Sequence, residues 1–408
     1  MRILIVSKNE ISYNARLLKA ADFFSSKGCE IHIFNPIIGL APKEIHQEAI
    51  KNKGWTVINN DISKRSLISK VRWAYVSGIH KVKSSFWKKY RGRLGFESFL
   101  NKGIIGHSIN EKISCDFILI NLVDNLPFAV SLKKKLGARL IYDSQEYFVG
   151  QYQRYEKAQL DWVKFAESKY IHDVDIVLAT TEVMKDRLIA DYHLKVPVFR
   201  VRNLPSLYML NSASIIEGNA KKPIHLVWHG MGIFLNNTRG VHILVNAVAK
   251  VKASVVLVLQ GSLNSTQRKI LDNLIANLNL KDKIIIRPPA DPYKIVDSLK
   301  TYDIGLIGEL GEEDNQMLTS SNKLFDYINA GLPVIASNLP GLAETVRDLN
   351  LGLLYEPGNI DALAKAIDEL ANNPQLMNEM KKRSREISKK ELFWEYDFEP
   401  VWSYMNNG

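Results

Sequence analysis

The sequence predicts an α/β protein built from two doubly wound parallel sheets. In both halves of the 408-residue chain, short runs of β-branched residues alternate with amphipathic stretches of helix length. This alternation is typical of parallel strands joined by right-handed crossovers. A stretch rich in Pro, Gly, Ser and Asn, residues 203–222, interrupts the alternation, which restarts at Ile224. The chain is also longer than one hydrophobic core usually serves.

These observations divide the chain into two domains. We assign residues 1–203 to an N-terminal domain, 204–222 to a linker and 223–387 to a C-terminal domain. The aromatic stretch 388–408 is expected to pack back on the N-terminal domain. The predicted strands, in chain order, are RILIVS, EIHIF, DFILIN, ARLIYDS, VDIVLAT, VPVFRV, IHLVWHG, SVVLVLQG, KIIIRPP, DIGLIG and LPVIAS.

One helix of the second domain has clear boundaries in the sequence. Residues 322–330 have helical spacing, Ser320 and Ser321 suit the N-cap, and Gly331 fits the left-handed position that ends a helix. Apolar residues share one face of this helix, and polar residues share the other, with Lys323 beside them. The spacing therefore predicts one face that packs and one that is free to bind a ligand.

Composition and charge narrow the function classes. Cys29 and Cys115 have no metal-binding or redox spacing, which indicates a reducing cytoplasm. No apolar run approaches the ~18 to 20 residues of a spanning helix, and the N-terminus has too few apolar residues for a signal peptide. The formal net charge of +11 favours an anionic partner.

The segment 64–93 contains no Asp or Glu and interleaves Lys and Arg with Trp and Tyr. This pattern is typical of a helix on an anionic membrane surface, and equally of a solvated basic helix whose aromatic side chains pack on the sheet. Single-stranded nucleic acid is a weaker hypothesis, since no other nucleic-acid motif supports it. We therefore expect no nucleic-acid partner.

The topology predicts where a ligand binds. In doubly wound sheets, ligands bind beyond the carboxyl ends of the strands. The loops that follow predicted strands are 7–13, 143–149, 230–239 and 308–321. We expect the functional residues there.

Several segments resemble the retaining glycosyltransferases of family 4, which have the GT-B fold. The specific one is NKLFDYINAGLPVIASNLPGLAETV, similar to the donor-site segment of that family, and the likeness continues into LGLLYEPGNIDALAKAIDEL. SYNARLLKAADFFSSKGCEIHIF, YDSQEYF, TTEVMKDRL and VRNLPS follow in the family's order. The resemblance implies two Rossmann-like domains facing a cleft, with the acceptor on the N-terminal side. It also implies transfer of a sugar from a nucleotide-diphosphate sugar with retained configuration and no obligatory metal.

The helix that begins at Asn322 suits a donor diphosphate. Its N-terminus, with Ser320 and Ser321, offers unpaired N–H groups and about half a positive charge to an anion. Lys323 adds a full charge and would stabilise the leaving diphosphate as the glycosidic bond breaks. The alternative for Lys323 is a contact along the helix surface, worth ~0.2 to 0.5 kcal/mol.

The donor segment departs from the family at one of its two acidic positions. Asp326 occupies the position of the second family glutamate, where the resemblance implies that it holds the ribose hydroxyls by accepting two hydrogen bonds. The position of the first glutamate falls on Leu318. The role of orienting the donor therefore passes to backbone N–H groups or Ser320, or is absent. The sequence consequently does not identify the donor sugar.

The stretch VWHGMGIFLNNTRGVHILVNAV resembles the glycine-containing loop of the family and the helix start after it. Gly230 and Gly232 are donor-binding candidates, and Arg239 would meet the same diphosphate as Lys323 through a fork of donors. Met231 stands where the family often has a further Arg. The same stretch does not match the glycine-rich fingerprint of dinucleotide-binding proteins, because the third glycine and the acidic residue of that fingerprint are missing.

In the first domain, Gln145 stands where related members commonly have a His that contacts the donor sugar. Glutamine can hydrogen-bond but cannot transfer a proton near neutral pH. Glu146 has two open interpretations, a catalytic residue that orients or deprotonates the acceptor hydroxyl, or a cap of the following turn. Asn14 and Arg16 are candidates for acceptor or phosphate binding, with a plain N-cap as the alternative for Asn14.

The resulting hypothesis is a retaining hexosyltransferase, cytoplasmic and peripheral at the inner membrane face. It would use a lipid-linked or glycan acceptor in surface polysaccharide biosynthesis. No metal and no cofactor are expected, since the nucleotide-sugar is a substrate. Two alternatives stay open. One is a glycosyltransferase-like subunit that binds without catalysing, and the other is a non-hydrolysing nucleotide-sugar epimerase, which would use more acid and base residues.

Overall fold

A computed structural model describes the chain in several ranges. They are residues 1–7, 11, 14–35, 50–51, 53–59, 113–153, 157–207, 223–234, 238–291 and 294–407. The chain divides into an N-terminal unit, Met1–Thr180 with Met184–Val201, and a C-terminal unit, Thr181–Val183 with Arg202–Gly408. The segment 64–93 and most of the predicted linker lie outside the described residues.

The N-terminal unit contains a parallel sheet in the order β3-β2-β1-β4-β5-β6-β7. Its strands are β1 (Arg2–Val6), β2 (Glu30–Asn35), β3 (Thr56–Asn59), β4 (Phe117–Asn121), β5 (Arg139–Asp143), β6 (Ile176–Ala179) and β7 (Val198–Arg200). The described helices of this part of the chain are α1 (Ala15–Ser26), α2 (Leu126–Leu136), α3 (Phe148–Gln151), α4 (Lys157–Tyr170) and α5 (Glu182–Tyr192). Strand β4 is buried at every position, as expected for a central strand covered on both faces.

The C-terminal unit repeats the scheme with a parallel sheet in the order β10-β9-β8-β11-β12-β13. Its strands are β8 (Ile224–Gly232), β9 (Val255–Ser262), β10 (Ile284–Arg287), β11 (Ile304–Ile307), β12 (Val334–Ser337) and β13 (Gly352–Tyr355). Its helices are α6 (Val241–Lys250), α7 (Ser265–Asn277), α8 (Ile295–Leu299), α9 (Asp314–Leu318), α10 (Asn322–Asn329), α11 (Pro340–Val346), α12 (Ile360–Ala371), α13 (Pro374–Lys390) and α14 (Trp394–Asn407).

The prediction of two doubly wound sheets is confirmed. Every predicted strand lies on an observed one, and the structure adds two that were not predicted, β3 and β13. The helix predicted over 322–330 is α10, and Gly331 takes the left-handed conformation expected of a helix stop, with φ 77°. Within the described ranges, no helix combines the length and the apolar content needed to cross a membrane.

The C-terminal helix α14 is joined to the start of its own unit by a buried ion pair. The guanidinium of Arg202 donates to both carboxylate oxygens of Asp397, at 2.8 and 2.6 Å. A third donor of Arg202 reaches the carbonyl of Glu391. The expected packing of 388–408 on the N-terminal domain concerns the relation between the units and stays a prediction.

A buried carboxylate stands out in the N-terminal unit. Glu167, on α4, is fully buried and accepts hydrogen bonds from the hydroxyls of Tyr142 and Tyr192, at 3.0 and 2.8 Å. Burial raises the pKa of Glu167 from 4.5 to about 7, although the two tyrosine hydroxyls oppose the shift. The folded state therefore binds this proton more strongly than the unfolded chain does.

This pKa difference predicts a pH dependence of stability. The stabilisation is fully present below pH 4.5 and is lost as the pH rises through about 7, and its size is ~3 kcal/mol. In Glu167→Gln, the difference in unfolding free energy between pH 5 and pH 8 should differ from that of the wild type by roughly this amount. Urea denaturation at both pH values measures it. Asp186→Asn, which removes an exposed acid of the same unit, is the control, and an unchanged pH dependence in Glu167→Gln would contradict the assignment.

Candidate functional site

Polar side chains collect at the carboxyl edge of the C-terminal sheet. His229 lies near the end of β8, paired in register with Gln260 on β9. Glu309 follows the last residue of β11 by two positions. All three side chains are buried. Because parallel strands end at one edge, three different strands bring polar groups to one place.

Helix α10 begins at this edge, and its N-terminus has no side-chain cap among the described residues. The hydroxyl of its N-cap residue, Ser321, instead accepts a hydrogen bond from Nζ of Lys323 at 3.2 Å. Lys323 was predicted to lie beside the free polar face of this helix, but the side chain is buried instead of exposed. Its side chain is only 8% exposed and its Nζ lies over the ring of Trp228, 5.5 Å from the centroid.

The partner of Lys323 is Glu309, which sequence reasoning did not identify. Nζ of Lys323 lies 3.5 Å from Oε1 of Glu309, and a guanidinium nitrogen of Arg239 lies 3.1 Å from the same oxygen. The two predicted diphosphate-binding cations are therefore brought together by one buried carboxylate. Arg239 differs from Lys323 in that its side chain is 52% exposed.

Burial and charge act against each other in this group. Burial lowers the pKa of Lys323, and the carboxylate of Glu309 opposes that shift. Burial alone would raise the pKa of Glu309, but Lys323, Arg239 and a hydrogen bond from Ser321 outweigh it, so the pKa is lowered. The carboxylate is thus ionised at neutral pH, and it supports the charged form of Lys323, whereas the like charge of Arg239 opposes it.

Asp326 lies beside a neutral histidine. Nε2 of His229 is 3.4 Å from Oδ2 of Asp326 without forming a hydrogen bond. The imidazole packs edge-on against the ring of Tyr327, with 5.2 Å between centroids. Burial, followed by the charge of Lys323, lowers the pKa of His229 to about 3. The imidazole is therefore uncharged at neutral pH and does not neutralise Asp326.

The other residues predicted to bind the donor in this unit contact different groups. The hydroxyl of Ser320 donates to the carbonyl of Gly341, and the side-chain oxygen of Asn322 accepts from Asn203 at 2.7 Å. Gly230 and Gly232 lie at the end of β8, where the register with β9 shifts. Met231, between them, is 93% exposed.

The loop that carries Arg239 is held against the loop that carries Glu309. Gly240 has φ 67°, and a Cβ built on it would overlap the carbonyl oxygen of Gly308. The N–H of Leu310 donates to the carbonyl of Thr238 at 2.9 Å. This close backbone approach explains why Arg239 and Glu309 meet, and only glycine satisfies both its space and its φ.

In the N-terminal unit, Arg16 and Asp143 form a buried ion pair. Nε and a terminal nitrogen of Arg16 donate to the two carboxylate oxygens of Asp143, at 2.6 and 2.8 Å, and the same terminal nitrogen donates to the carbonyl of Val201. Asn14 is the N-cap of α1 and accepts from the N–H of Leu17 at 3.1 Å. Both residues thus have structural partners, and their roles in acceptor binding stay predictions.

Beyond that ion pair, the carboxyl edge of this sheet carries polar groups that lack partners. Nε2 of Gln145, both polar side-chain atoms of Asn121 and the hydroxyl of Ser7 are buried without a hydrogen-bond partner among the described residues. Glu146 is half-buried, and its backbone carbonyl accepts from Ser144 at 3.1 Å. The catalytic interpretation of Glu146 stays a prediction.

One sequence signal could have found Glu309. It opens the acidic run ELGEE directly after a predicted strand, inside a loop expected to carry functional residues. No sequence rule pairs it with Lys323, because 14 residues separate them. Across the described ranges, no group of three or more His, Cys, Asp or Glu side chains is arranged to hold a metal ion.

Comparisons with known proteins show what the C-terminal unit is similar to. Residues 225–373 match the family described as glycosyl transferases group 1. A curated relative, described as an uncharacterized glycosyltransferase of Haemophilus influenzae, is 41% identical over 59 residues. That match spans 14% of this chain and 17% of the relative's length.

Solved structures place the whole chain in the GT-B fold. HepE of Anabaena, solved in complex with UDP, superposes with a TM-score of 0.68 at 14% identity and full coverage of both chains. The lipopolysaccharide outer core galactosyltransferase WaaB gives a TM-score of 0.62 at 14% identity, covering 99% of this chain and 100% of its own. The predicted GT-B fold and the resemblance to glycosyltransferases are confirmed. Membership of family 4 stays a prediction.

The approach of Gly240 to Gly308 yields a stability prediction with an internal control. Gly137 has the same φ of 67°, but nothing lies within 4 Å of a Cβ built there. Gly137→Ala should lose about 1 kcal/mol from the backbone conformation alone. Gly240→Ala should lose a further ~1 to 3 kcal/mol through steric overlap. Urea denaturation of both variants measures the difference, and equal losses would contradict the packing described.

Proposed function

We propose that the chain is a hexosyltransferase that transfers a sugar from a nucleotide-diphosphate sugar to a glycan or lipid-linked acceptor. The observation that carries the proposal is the meeting of Lys323 and Arg239 beside the uncapped N-terminus of α10. This group lies inside the segment that matches glycosyl transferases group 1. Retained configuration and independence from a metal are further parts of the proposal, supported by the family resemblance.

The charges at this edge suit a diphosphate. Lys323 and Arg239 together outweigh the single carboxylate of Glu309, and the helix N-terminus adds about half a positive charge and directed N–H groups. Lys323 is buried, and Coulomb interactions are stronger in the protein interior than in water. We propose that Arg239, which is half-exposed, contacts the phosphate oxygens directly.

The same charges favour breaking of the glycosidic bond. Negative charge grows on the leaving diphosphate as the bond to the sugar breaks, so a fixed cation stabilises the transition state more than the ground state. Asp326 is only partly buried, and we propose that its side-chain oxygens accept hydrogen bonds from the ribose. Ser320, Ser321, Asn322 and the two glycines of β8 complete the proposed donor site.

The acceptor class and the location are inferred from the comparisons. One structural neighbour is described as a lipopolysaccharide galactosyltransferase, which supports a glycan or lipid-linked acceptor in surface polysaccharide biosynthesis. A cytoplasmic enzyme at the inner membrane face fits such an acceptor. A binding subunit without catalysis is a second candidate, favoured by Leu318 and Gln145 in place of the family's glutamate and histidine.

The donor site predicts binding of a nucleoside diphosphate. UDP should bind the wild type, and Lys323→Met and Arg239→Met should each weaken it about 10- to 100-fold, the range expected for a charged hydrogen bond. Isothermal titration calorimetry measures the affinities. Arg268→Met is the matched control, because Arg268 belongs to the same unit, forms an ion pair and is equally exposed at 55%.

Two outcomes would contradict parts of this proposal. Unchanged UDP affinity in both site variants would remove Lys323 and Arg239 from the donor site. Binding of nucleotide-sugars without release of nucleoside diphosphate, in the presence of a broad set of acceptors, would favour the binding subunit over the enzyme.

The basic and aromatic segment 64–93 predicts attachment to anionic membranes. Each Lys or Arg contributes ~1 kcal/mol near such a surface, screened by salt, whereas the aromatic side chains contribute apolar contact that salt does not screen. Flotation with anionic vesicles should therefore weaken but persist as salt rises, and Trp87→Ala should remove the persistent part. Wild type that stays unbound at low salt would contradict the membrane proposal.

A further inference from the structure

We infer that Glu309 is the positioning residue of the anion site, and that its carboxylate holds Lys323 and Arg239 at one point and keeps Lys323 charged. The inference rests on the proposed function. It assigns Glu309 no contact with the donor, because its side chain is only 6% exposed and acts through the two cations.

Lys323 and Arg239 both contact the same carboxylate oxygen of Glu309. Nζ of Lys323 and a terminal nitrogen of Arg239 lie 3.5 and 3.1 Å from the same oxygen, Oε1. Ser321 completes the arrangement, since it accepts from Lys323 at 3.2 Å and hydrogen-bonds to Glu309. A flexible lysine side chain is thereby fixed within the first turn of α10.

The charges around Lys323 explain why it needs this partner. Burial and the like charge of Arg239 both favour the neutral amine. Glu309 favours the charged form, as does Asp326 more weakly, and His229 is uncharged. With Glu309 replaced by a neutral residue, the strongest group that opposes burial and Arg239 is lost, so Lys323 should lose its proton at a lower pH than in the wild type.

A neutral Lys323 would give diphosphate binding a distinctive signature. An arriving diphosphate brings negative charge next to the amine, which favours its protonation. Binding to Glu309→Gln should therefore take up a proton from the buffer at a pH where binding to the wild type takes up none. A role limited to holding the fold together would weaken binding without linking it to a proton.

The test is calorimetric titration with UDP and with inorganic pyrophosphate from pH 6 to pH 10, in buffers of different ionisation enthalpy. After correction for the titration of the ligand's own phosphates, which is the same for every variant, the wild type should keep a constant affinity over most of this range. In Glu309→Gln the affinity should begin to fall at lower pH, by up to about tenfold per pH unit, as for one linked proton, with proton uptake on binding. Glu312→Gln removes an exposed acid from the same loop and should behave as the wild type.

Two further variants identify the group and guard against misfolding. Glu309→Gln combined with Lys323→Met should abolish the proton uptake, because Lys323 is the titrating group. Glu309→Asp retains a carboxylate at a greater distance, so its affinity should begin to fall at a pH between those of the wild type and Glu309→Gln. If Glu309→Gln fails to fold, Glu309→Asp decides the test alone.

The outcomes separate this inference from the proposed function. Suppose that the wild type binds UDP while Glu309→Gln shows the same dependence of affinity on pH and no extra proton uptake. That result would overturn the role of Glu309 and leave the proposed function intact. If the affinity of Glu309→Gln falls at lower pH as predicted, but the wild type never releases UDP from nucleotide-sugars, the role of Glu309 is supported and the proposed enzymatic activity is contradicted. No binding of UDP or pyrophosphate by the wild type would overturn both.

Discussion

Parallel strands end at one edge of a sheet, and this constraint places every candidate residue of the protein. In the C-terminal sheet it brings His229, Gln260 and Glu309 together although they come from strands far apart in sequence. In the N-terminal sheet it does the same for Asn121 and Asp143, which are paired in register. The core strands behind these edges are almost wholly apolar and buried, so polar groups concentrate where the strands stop.

The second constraint is the cost of a buried charge. A lysine buried against Trp228 is tolerated because a carboxylate lies beside it, and that carboxylate is in turn held ionised by two cations. The group keeps a net positive charge only because Arg239 joins it from a separate loop. The close contact of Gly240 with Gly308 makes that meeting possible, which links a backbone conformation to the electrostatics of the site.

Local sequence patterns predicted the fold well because most strands are apolar runs bounded by polar residues and most helices have clear ends. Strands β3 and β13 were missed because their sequence signal is weak: β3 has only Val57 and Ile58 between two polar residues, and β13, with the sequence GLLY, has no β-branched residue. Helix α10 and its glycine stop were predicted correctly, but the burial of Lys323 was not. Helical spacing gives the direction of a side chain around the axis and says nothing about which loop covers it. Glu309 and the ion pair of Arg16 with Asp143 are contacts across long sequence separations, which no local pattern encodes.

We propose that the N-terminus of α10, with Lys323 and Arg239, receives the diphosphate of a nucleotide-sugar. A crystal structure of the protein with UDP is the decisive experiment for this proposal. We expect phosphate oxygens within hydrogen-bond distance of Arg239 and of the first N–H groups of α10, with the ribose at Asp326. Phosphates bound elsewhere, with no phosphate oxygen near Lys323 and with Arg239 turned away, would contradict it.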